Sequence, residues 1–153
     1  MIQTATRSID SKSYACTQFP GRLGLVMQAR VLKIMGPLLV GFLNSPRKVN
    51  SLTDLLDSDI DTSALMLGVS SLDPEAFAQL AIDLLQCTKV DGRDITVEYF
   101  NLEFAGDYGH LMRVLLFVVD HNFRSLFPQG GTGSRTVGEQ KAAAPSPASS
   151  TQS

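Results

Sequence analysis

Two histidines and two cysteines are the side chains of this 153-residue chain best suited to metal binding or nucleophilic chemistry. His110 and His121 stand eleven positions apart on a predicted helix, so about 16 Å separates them, too far to share a metal ion. Cys16 and Cys87 are 71 positions apart, with no Cys or His beside either of them. This isolation predicts reduced, buried thiols rather than a disulfide framework or a zinc site.

Hydrolytic and phosphate-binding chemistry have little support in the sequence. Asp107 can pair with His110, and Asp120 with His121, but a helix cap or a solvated pair explains such neighbours better than an acid–base site. The glycines of residues 130–133 have neither a preceding strand nor a following helix, which a phosphate-binding loop requires. The sequence therefore predicts a protein that is not an enzyme and needs no cofactor or metal.

Charge is distributed unevenly along the chain, although the formal net charge is only -2. Residues 1–48 carry six more cations than carboxylates, whereas residues 49–128 carry nine more carboxylates than cations. Two interpretations remain open. The two parts neutralise each other within one fold, or one of them forms a docking face.

Neither a secretory signal nor a membrane span is indicated. The first residues are polar and lack the basic and apolar regions of a signal peptide, which predicts an intracellular protein. Residues 23–42 are apolar, but Gln28, Arg30 and Lys33 lie in their middle. Because each cation costs about 2.5–3.5 kcal/mol in a membrane, we expect no membrane-spanning segment.

The composition changes at residue 129. Residues 129–153 contain no aromatic side chain, and Val137 is their one apolar side chain larger than alanine. Such a segment cannot bury enough surface to offset the entropy of ordering it. The sequence predicts one folded domain over residues 1–128 and a disordered, low-complexity tail over residues 129–153.

The amino-terminal part predicts a hairpin followed by a helix. Residues 4–9 and 13–19 are rich in β-branched and aromatic types and flank a polar turn at residues 10–12. Residues 22–35 follow a helical period with the cations on one narrow stripe, which is typical of a helix central to its fold. Gly36-Pro37 is expected to interrupt or kink this helix, with Pro37 beginning a second one through Leu43.

Three helix starts are predicted in the acidic part. Residues 51–54 resemble a capping box, and Asp61 or Thr62 is placed to cap a short helix. The clearest start is Asp73, an N-cap followed by Pro74 at the first helical position, for a helix that runs to about Gln86.

The remaining elements are a second hairpin and a last helix. Residues 90–93 are typical of a type I′ turn, joining strands at residues 87–90 and 94–97. The last helix, from about Asp107 to Asn122, is apolar on almost every side and is expected to be central. The fold class is therefore mainly α, of the α+β kind: a small helical domain with a short N-terminal β-hairpin and a second short hairpin.

Two separated sequence patterns resemble a known family. The first is YACTQFP at residues 14–20 followed by LVMQARVLKIMGPLL at residues 25–39. The second is FAGDYGHLMRVLLFVVDHNFRSLF at residues 104–127. In this order, and in a chain of this size, they resemble the two ends of the small tail assembly chaperones of long-tailed bacteriophages.

The resemblance implies a non-enzymatic chaperone that acts in the host cell cytoplasm. Such a protein coats the long, hydrophobic tape measure protein, helps bring tail tube subunits to it and is absent from the mature virion. In this family a programmed ribosomal frameshift often yields a longer form whose extra domain recruits the tube protein. Self-association remains open, and neither nucleic acid nor a membrane is an expected partner.

Apolar and cationic side chains are the candidates for binding such a client. Met27, Met35, Met66 and Met112 are adaptable groups that suit varied partners, although filling gaps in the core explains each of them better. The apolar residues beside Pro37 and those at the end of the last helix are candidates for exposed faces that bind the client. The cations of residues 22–33 are candidates for the rim of such a binding groove. The candidate partner-binding residues are Arg22, Met27, Arg30, Lys33, Leu38, Leu39, Phe42, Leu43, Phe123, Leu126 and Phe127.

Two other functional classes remain as alternatives. The first is a structural protein of the virion, such as a tail-completion or head–tail joining subunit. The second is a small nucleic-acid-binding regulator that uses Arg22, Arg30, Lys33, Arg47 and Lys48. The acidic remainder of the chain, and the apolar positions between these cations, count against the second alternative.

Overall fold

The structure, a computed structural model, describes residues 1–43, 68 and 70–126. Helices and strands are both present in this part, so the predicted α+β class is confirmed. The strands are β1 (Thr4–Ile9), β2 (Lys12–Thr17), β3 (Thr88–Val90) and β4 (Arg93–Asp94). The helices are α1 (Gly21–Leu43), α2 (Pro74–Leu85), α3 (Val97–Glu103) and α4 (Tyr108–Phe123), followed by a 3-10 turn at Arg124–Leu126.

The first hairpin is tighter than the sequence predicts. β1 pairs antiparallel with β2, and the pair Ile9 and Lys12 closes a two-residue loop. The loop residues Asp10 and Ser11 both have positive φ, 48° and 70°, as a type I′ turn requires. The predicted hairpin is confirmed, with Lys12 in the strand rather than in the turn.

The second hairpin is also a type I′ turn, with φ of 47° at Asp91 and 80° at Gly92. Its predicted position is confirmed, but the predicted strand to Val97 is wrong. β4 ends at Asp94, and Thr96 caps α3 by accepting a hydrogen bond from the backbone N–H of Tyr99 at 3.1 Å. The cap prevails over the β-propensity of these residues because it satisfies an otherwise unpaired helix amide.

Both hairpins belong to one antiparallel sheet in the order β1-β2-β3-β4. β2 pairs with β3, with Tyr14 opposite Val90 and Cys16 opposite Thr88. Sequence patterns predict the two hairpins separately, because a pairing between strands about 70 residues apart leaves no local signal.

α1 runs unbroken through Gly36 and Pro37, so the predicted interruption is wrong. Proline lacks the N–H that would bond to the carbonyl of Lys33 one turn earlier. Pro37 and Lys33 both lie on the exposed side of the helix, where water can hydrate that carbonyl. The second helix that Pro37 was expected to begin is therefore the continuation of α1.

The predicted start of α2 is confirmed. The side chain of Asp73 accepts hydrogen bonds from the backbone N–H groups of Glu75 and Ala76, both at 3.1 Å, and Pro74 opens the helix. The predicted helix starts at residues 51–54 and 61–62 lie outside the described residues. So does the predicted tail at residues 129–153.

α4 is the central helix, as the sequence predicts. Asp107 caps it by accepting a hydrogen bond from the backbone N–H of His110 at 3.1 Å. The helix contacts α2, β1 and β2, and α1 packs in turn on α2. The largest fully buried side chains are Tyr14, Phe104, Met35, Leu80, Leu84, Leu85, Leu115, Leu116, Val31, Val114 and Val118.

Candidate functional site

One side of α1 is exposed and largely apolar. Leu25, Val26 and Leu32 are 66%, 50% and 45% exposed, and Ala29 between them is exposed as well. Leu25, Val26 and Leu32 each lie three or four residues from Ala29, which places all four on the same side of a helix with 3.6 residues per turn. We call these four residues the α1 face.

Two cations lie along the α1 face. Arg22 and Lys33 are both exposed and are eleven residues apart, which corresponds to about 16 Å along the helix axis. Gly36 continues the same line, and a β-carbon added there would come within 4 Å of no atom of the described residues outside the helix's own backbone. The exposed side of α1 is therefore an apolar strip of small and aliphatic residues with a cation towards each end.

The opposite side of α1 anchors the helix in the core. Met27, Val31, Met35 and Leu38 recur every three or four residues and are at most 5% exposed. Met27 and Leu38 were candidate partner-binding residues, but their burial leaves them no free surface, and the expectation of an exposed face at Leu38 is wrong. The core role that the sequence favoured for the methionines holds for Met27, Met35 and Met112.

Arg30 is tied to a neighbouring helix. Its guanidinium nitrogen lies 2.7 Å from a carboxylate oxygen of Asp83 on α2. Asp83 also accepts a hydrogen bond from the side-chain amide of Gln79 at 2.9 Å. Arg30 therefore joins α1 to α2, whereas Arg22 and Lys33 point outward from the helix.

The remaining candidates are only partly described. Phe123 is 4% exposed and lies parallel to Phe19, with ring centroids 6.4 Å apart, so it belongs to the core. α1 includes Leu39, Phe42 and Leu43, and the 3-10 turn includes Leu126, but their side chains are outside the described part. Phe127 and Met66 also lie outside the described residues.

A second group of polar side chains is brought together by the fold. Tyr14 Oη lies 2.6 Å from His110 Nε2, and His110 Nδ1 lies 2.7 Å from Asp10 Oδ2. Arg113 donates to the other oxygen of Asp10 at 2.6 Å. The residues come from β2, α4 and the first hairpin turn, so the local pair of Asp107 with His110 is a backbone cap and not an ion pair.

This polar group has the character of a structural network. Burial raises the pKa of Tyr14, which keeps its hydroxyl protonated and able to donate to His110. A hydrogen bond from His110, followed by the charge of Arg113, lowers the pKa of Asp10. Each group is therefore held by its neighbours, and Tyr14, at 0% exposure, is closed to a substrate.

The other neighbouring pair, Asp120 and His121, have separate partners. Asp120 accepts a hydrogen bond from Arg124 at 2.7 Å, one helical turn later. His121 lies 3.2 Å from the backbone oxygen of Gln3. In the described part of the chain, no three His, Cys, Asp or Glu residues are placed to hold a metal ion.

The family model for the phage tail assembly chaperone protein, TAC, matches residues 10–134. This segment includes the hairpin turn, the α1 face and the polar network. The chain belongs to the phage tail assembly chaperone family. No curated protein and no solved structure matches it significantly.

The family assignment gives the exposed surface of this tail assembly chaperone a context. A chaperone of this family acts during assembly in the host cell, where it meets partner proteins. Among the described helices, none is long and apolar enough to cross a membrane. The α1 face is an apolar surface that the described part of this chaperone leaves uncovered.

Sequence reasoning missed the residues of the α1 face because it placed an almost wholly apolar α1 at the centre of the fold. The sequence does contain a signal that identifies the exposed side of α1. Arg22, Ala29 and Lys33 lie on one line along the helix, and a line of two cations and a small residue marks the side that faces solvent. The aliphatic residues beside that line, Leu25 and Leu32, are the ones left exposed.

Proposed function

We propose that this tail assembly chaperone binds the hydrophobic tape measure protein through the α1 face. Binding keeps the client soluble until the tail tube encloses it, and the chaperone helps recruit tail tube subunits. The observation that supports the proposal is the exposure of Leu25, Val26 and Leu32 at helical spacing, on a helix whose other side is fixed in the core. Exposed aliphatic side chains grouped in this way are typical of a protein-binding surface.

The spacing of the α1 face suits a helical client. An amphipathic helix presents apolar residues every three or four positions, which matches Leu25, Ala29 and Leu32. Ala29 and Gly36 have little or no side chain, so a second helix can approach the α1 backbone closely along this line. Burying a large aliphatic side chain contributes about 1.5–3 kcal/mol when burial is complete, and less here because these residues are already partly covered.

The two cations of α1 indicate the charge to expect on the client. Arg22 and Lys33 lie along the α1 face, one towards each end, so a client helix with acidic residues about 16 Å apart along its axis can pair with both. Charge pairs at the rim of an interface mainly set the orientation and the rate of association. The expected client segment is therefore an apolar helix with acidic flanks.

Other parts of the proposed role rest on the family. They are the action in the host cytoplasm, the absence from the mature virion, the lack of catalysis and cofactors, and the longer frameshifted form that recruits tube protein. The family match supports a role in tail assembly, and these parts are proposed from that role. Stoichiometric amounts of the chain in purified virions would contradict the chaperone role and favour the structural alternative.

Co-expression with the tape measure product of the same genome tests the proposal. We expect the client to be soluble and to co-purify with the chaperone, and the pair of substitutions Leu25→Asp and Leu32→Asp to lower the recovered complex at least about tenfold. Leu102→Asp is the matched control, because Leu102 is an equally large aliphatic residue, 74% exposed, on α3 rather than on α1. Equal recovery with all three chains, or a client that is equally soluble without the chaperone, would refute the proposal.

A second experiment tests the role of Arg22 and Lys33 in binding the client. Arg22→Glu with Lys33→Glu is expected to slow association and to reverse its salt dependence, because attraction to acidic client residues becomes a repulsion that added salt screens. Lys89→Glu with Arg93→Glu, at exposed positions of β3 and β4, is the control, because it changes the net charge by the same amount. If both chains lose binding to the same extent, the two cations have no specific place in the interface.

A further inference from the structure

The two cysteines lie side by side in the fold. Cys16 is on β2 and Cys87 directly precedes β3, and their sulfur atoms are 3.7 Å apart. The backbone holds both in place, because the N–H of Thr17 donates to the carbonyl of Cys87 at 2.9 Å. Both thiols are free. A distance of 3.7 Å is close to van der Waals contact between two sulfur atoms.

The two thiols differ in access. Cys16 is 0% exposed, and its sulfur accepts a hydrogen bond from the side-chain amide of Asn122 at 3.4 Å. Cys87 is half-buried, and its thiol donates to the carbonyl of Leu84 at 3.2 Å. A reagent from solvent therefore reaches Cys87 first.

The two thiols also differ in acidity. A hydrogen bond from Cys16 lowers the pKa of Cys87 because it stabilises the Cys87 thiolate. The same hydrogen bond, together with burial, raises the pKa of Cys16. The thiolate is the reactive form of cysteine, so Cys87 is the thiol that reacts first with an oxidant. Cys16 reacts in the second step.

We propose that Cys16 and Cys87 are a site of reversible oxidation, which forms an intrachain disulfide by exchange with a low-molecular-weight disulfide. The Cys87 thiolate attacks one sulfur of the reagent, so a mixed disulfide forms and the reagent's own bond breaks, releasing one thiolate that takes up a proton. Cys16 then loses its proton and attacks the sulfur of Cys87, which releases the second reagent thiol. The cysteine pair gives up two electrons, and the reagent is reduced to two thiols.

Formation of the mixed disulfide at Cys87 makes it easier for Cys16 to lose its proton. Once Cys87 is part of a mixed disulfide it carries no negative charge, so the hydrogen bond that Cys16 donates to its thiolate and the repulsion from its charge, which both raise the pKa of Cys16, are removed. The new bond links β2 to the segment between α2 and β3, and α1 and α2 lie within the loop that it closes. Because a cross-link between residues 71 positions apart restricts the unfolded chain, the oxidised protein is more stable than the reduced one.

The site also lies next to the start of α1. Asn122, which contacts Cys16, accepts a hydrogen bond from the backbone N–H of Phe19 at 2.9 Å, two residues before α1 begins. Oxidation therefore fixes the strand that leads into α1. This inference does not depend on the identity of the client.

Oxidised glutathione, applied to the full native chain, is the probe. We expect the intact mass to fall by two hydrogen atoms, no thiol to react with an alkylating reagent after denaturation, and dithiothreitol to reverse both changes. The midpoint of thermal unfolding is expected to rise by several degrees in the oxidised chain. Two separate glutathione adducts, disulfide-linked dimers, or thiols that stay reduced in the native state would each overturn the proposal.

Substitution of each cysteine alone tests the order in which the two thiols react. Cys16→Ala is expected to stop at one glutathione adduct, because the chain has two cysteines and the second is removed. Cys87→Ala is expected to react at least about tenfold more slowly, because Cys16 is fully buried. Equal rates for the two variants would overturn the assignment of Cys87 as the attacking thiol, and the mass of the unsubstituted chain decides the proposal even if a variant does not fold.

Discussion

The hydroxyl oxygen of Tyr14 lies 2.6 Å from Nε2 of His110, across 96 residues of sequence. The contact joins β2 to the central helix α4, and the other ring nitrogen of His110 reaches Asp10 in the first hairpin turn. Phe104 stacks on the same imidazole, with ring centroids 5.6 Å apart. This network fixes the sheet on α4 in one orientation, because its buried members cannot find other partners if the sheet shifts.

Tyr14→Phe is expected to lower the free energy of unfolding by about 1–3 kcal/mol, because it leaves Nε2 of His110 buried without a partner. Urea unfolding of the two chains measures the difference. Tyr108→Phe is the matched control, since Tyr108 is 56% exposed, and we expect a change within about 0.5 kcal/mol. Equal stability of all three chains would show that the hydroxyl of Tyr14 contributes nothing to the fold.

The lowered pKa of Asp10 predicts that the folded chain loses stability in acid. Its pKa in the folded chain is lowered, first by the hydrogen bond from His110 and then by Arg113, whereas in the unfolded chain it is about 3.9. Its contribution is therefore complete above about pH 4 and is lost as the pH falls through the folded-state value. Asp10→Asn should flatten the curve of stability against pH in this range.

Arg30 and Asp83 predict a measurable coupling between α1 and α2. Arg30→Ala is expected to lower stability by up to about 1 kcal/mol, because the pair is only partly exposed and well aligned at 2.7 Å. Lys33→Ala, on the outward side of the same helix, should change stability by less than about 0.5 kcal/mol. A double-mutant cycle with Asp83→Ala measures the coupling, and a value of zero would show that the ion pair does not join the helices.

Removal of residues 129–153 is expected to leave the midpoint of thermal unfolding nearly unchanged. The prediction follows from composition, since this segment has no aromatic side chain and few large apolar ones. Calorimetry of the full and shortened chains provides the measurement. A drop of several degrees would move the domain boundary beyond residue 129.

Local signals in the sequence were sufficient for individual elements. Asp73 and Pro74 mark the start of α2 because a carboxylate cap and a proline satisfy the unpaired amides of a first helical turn. Asp91-Gly92 marks the second hairpin because a type I′ turn needs positive φ at both positions. Pro37 was misleading, because the cost of a proline in a helix falls where its orphaned carbonyl reaches water.

Long-range contacts decided the candidate sites. Sequence reasoning named Met27 and Leu38 as binding residues and left out Leu25 and Leu32, because a helix that is apolar on most sides does not reveal which side its neighbours cover. It likewise treated Cys16 and Cys87 as isolated thiols, since the pairing of β2 with β3 that brings them together has no local signal.

The sequence by itself determined the family, from two separated patterns, and the α+β class. It also determined the two hairpin turns and the caps of α2 and α4, which depend on residues within a few positions of each other. The tertiary structure alone decided which side of α1 is exposed, which partner each polar side chain has, and that the two thiols touch. Those features depend on how α4, α2 and the sheet pack around one core, and packing joins residues that the sequence separates by 50 to 100 positions.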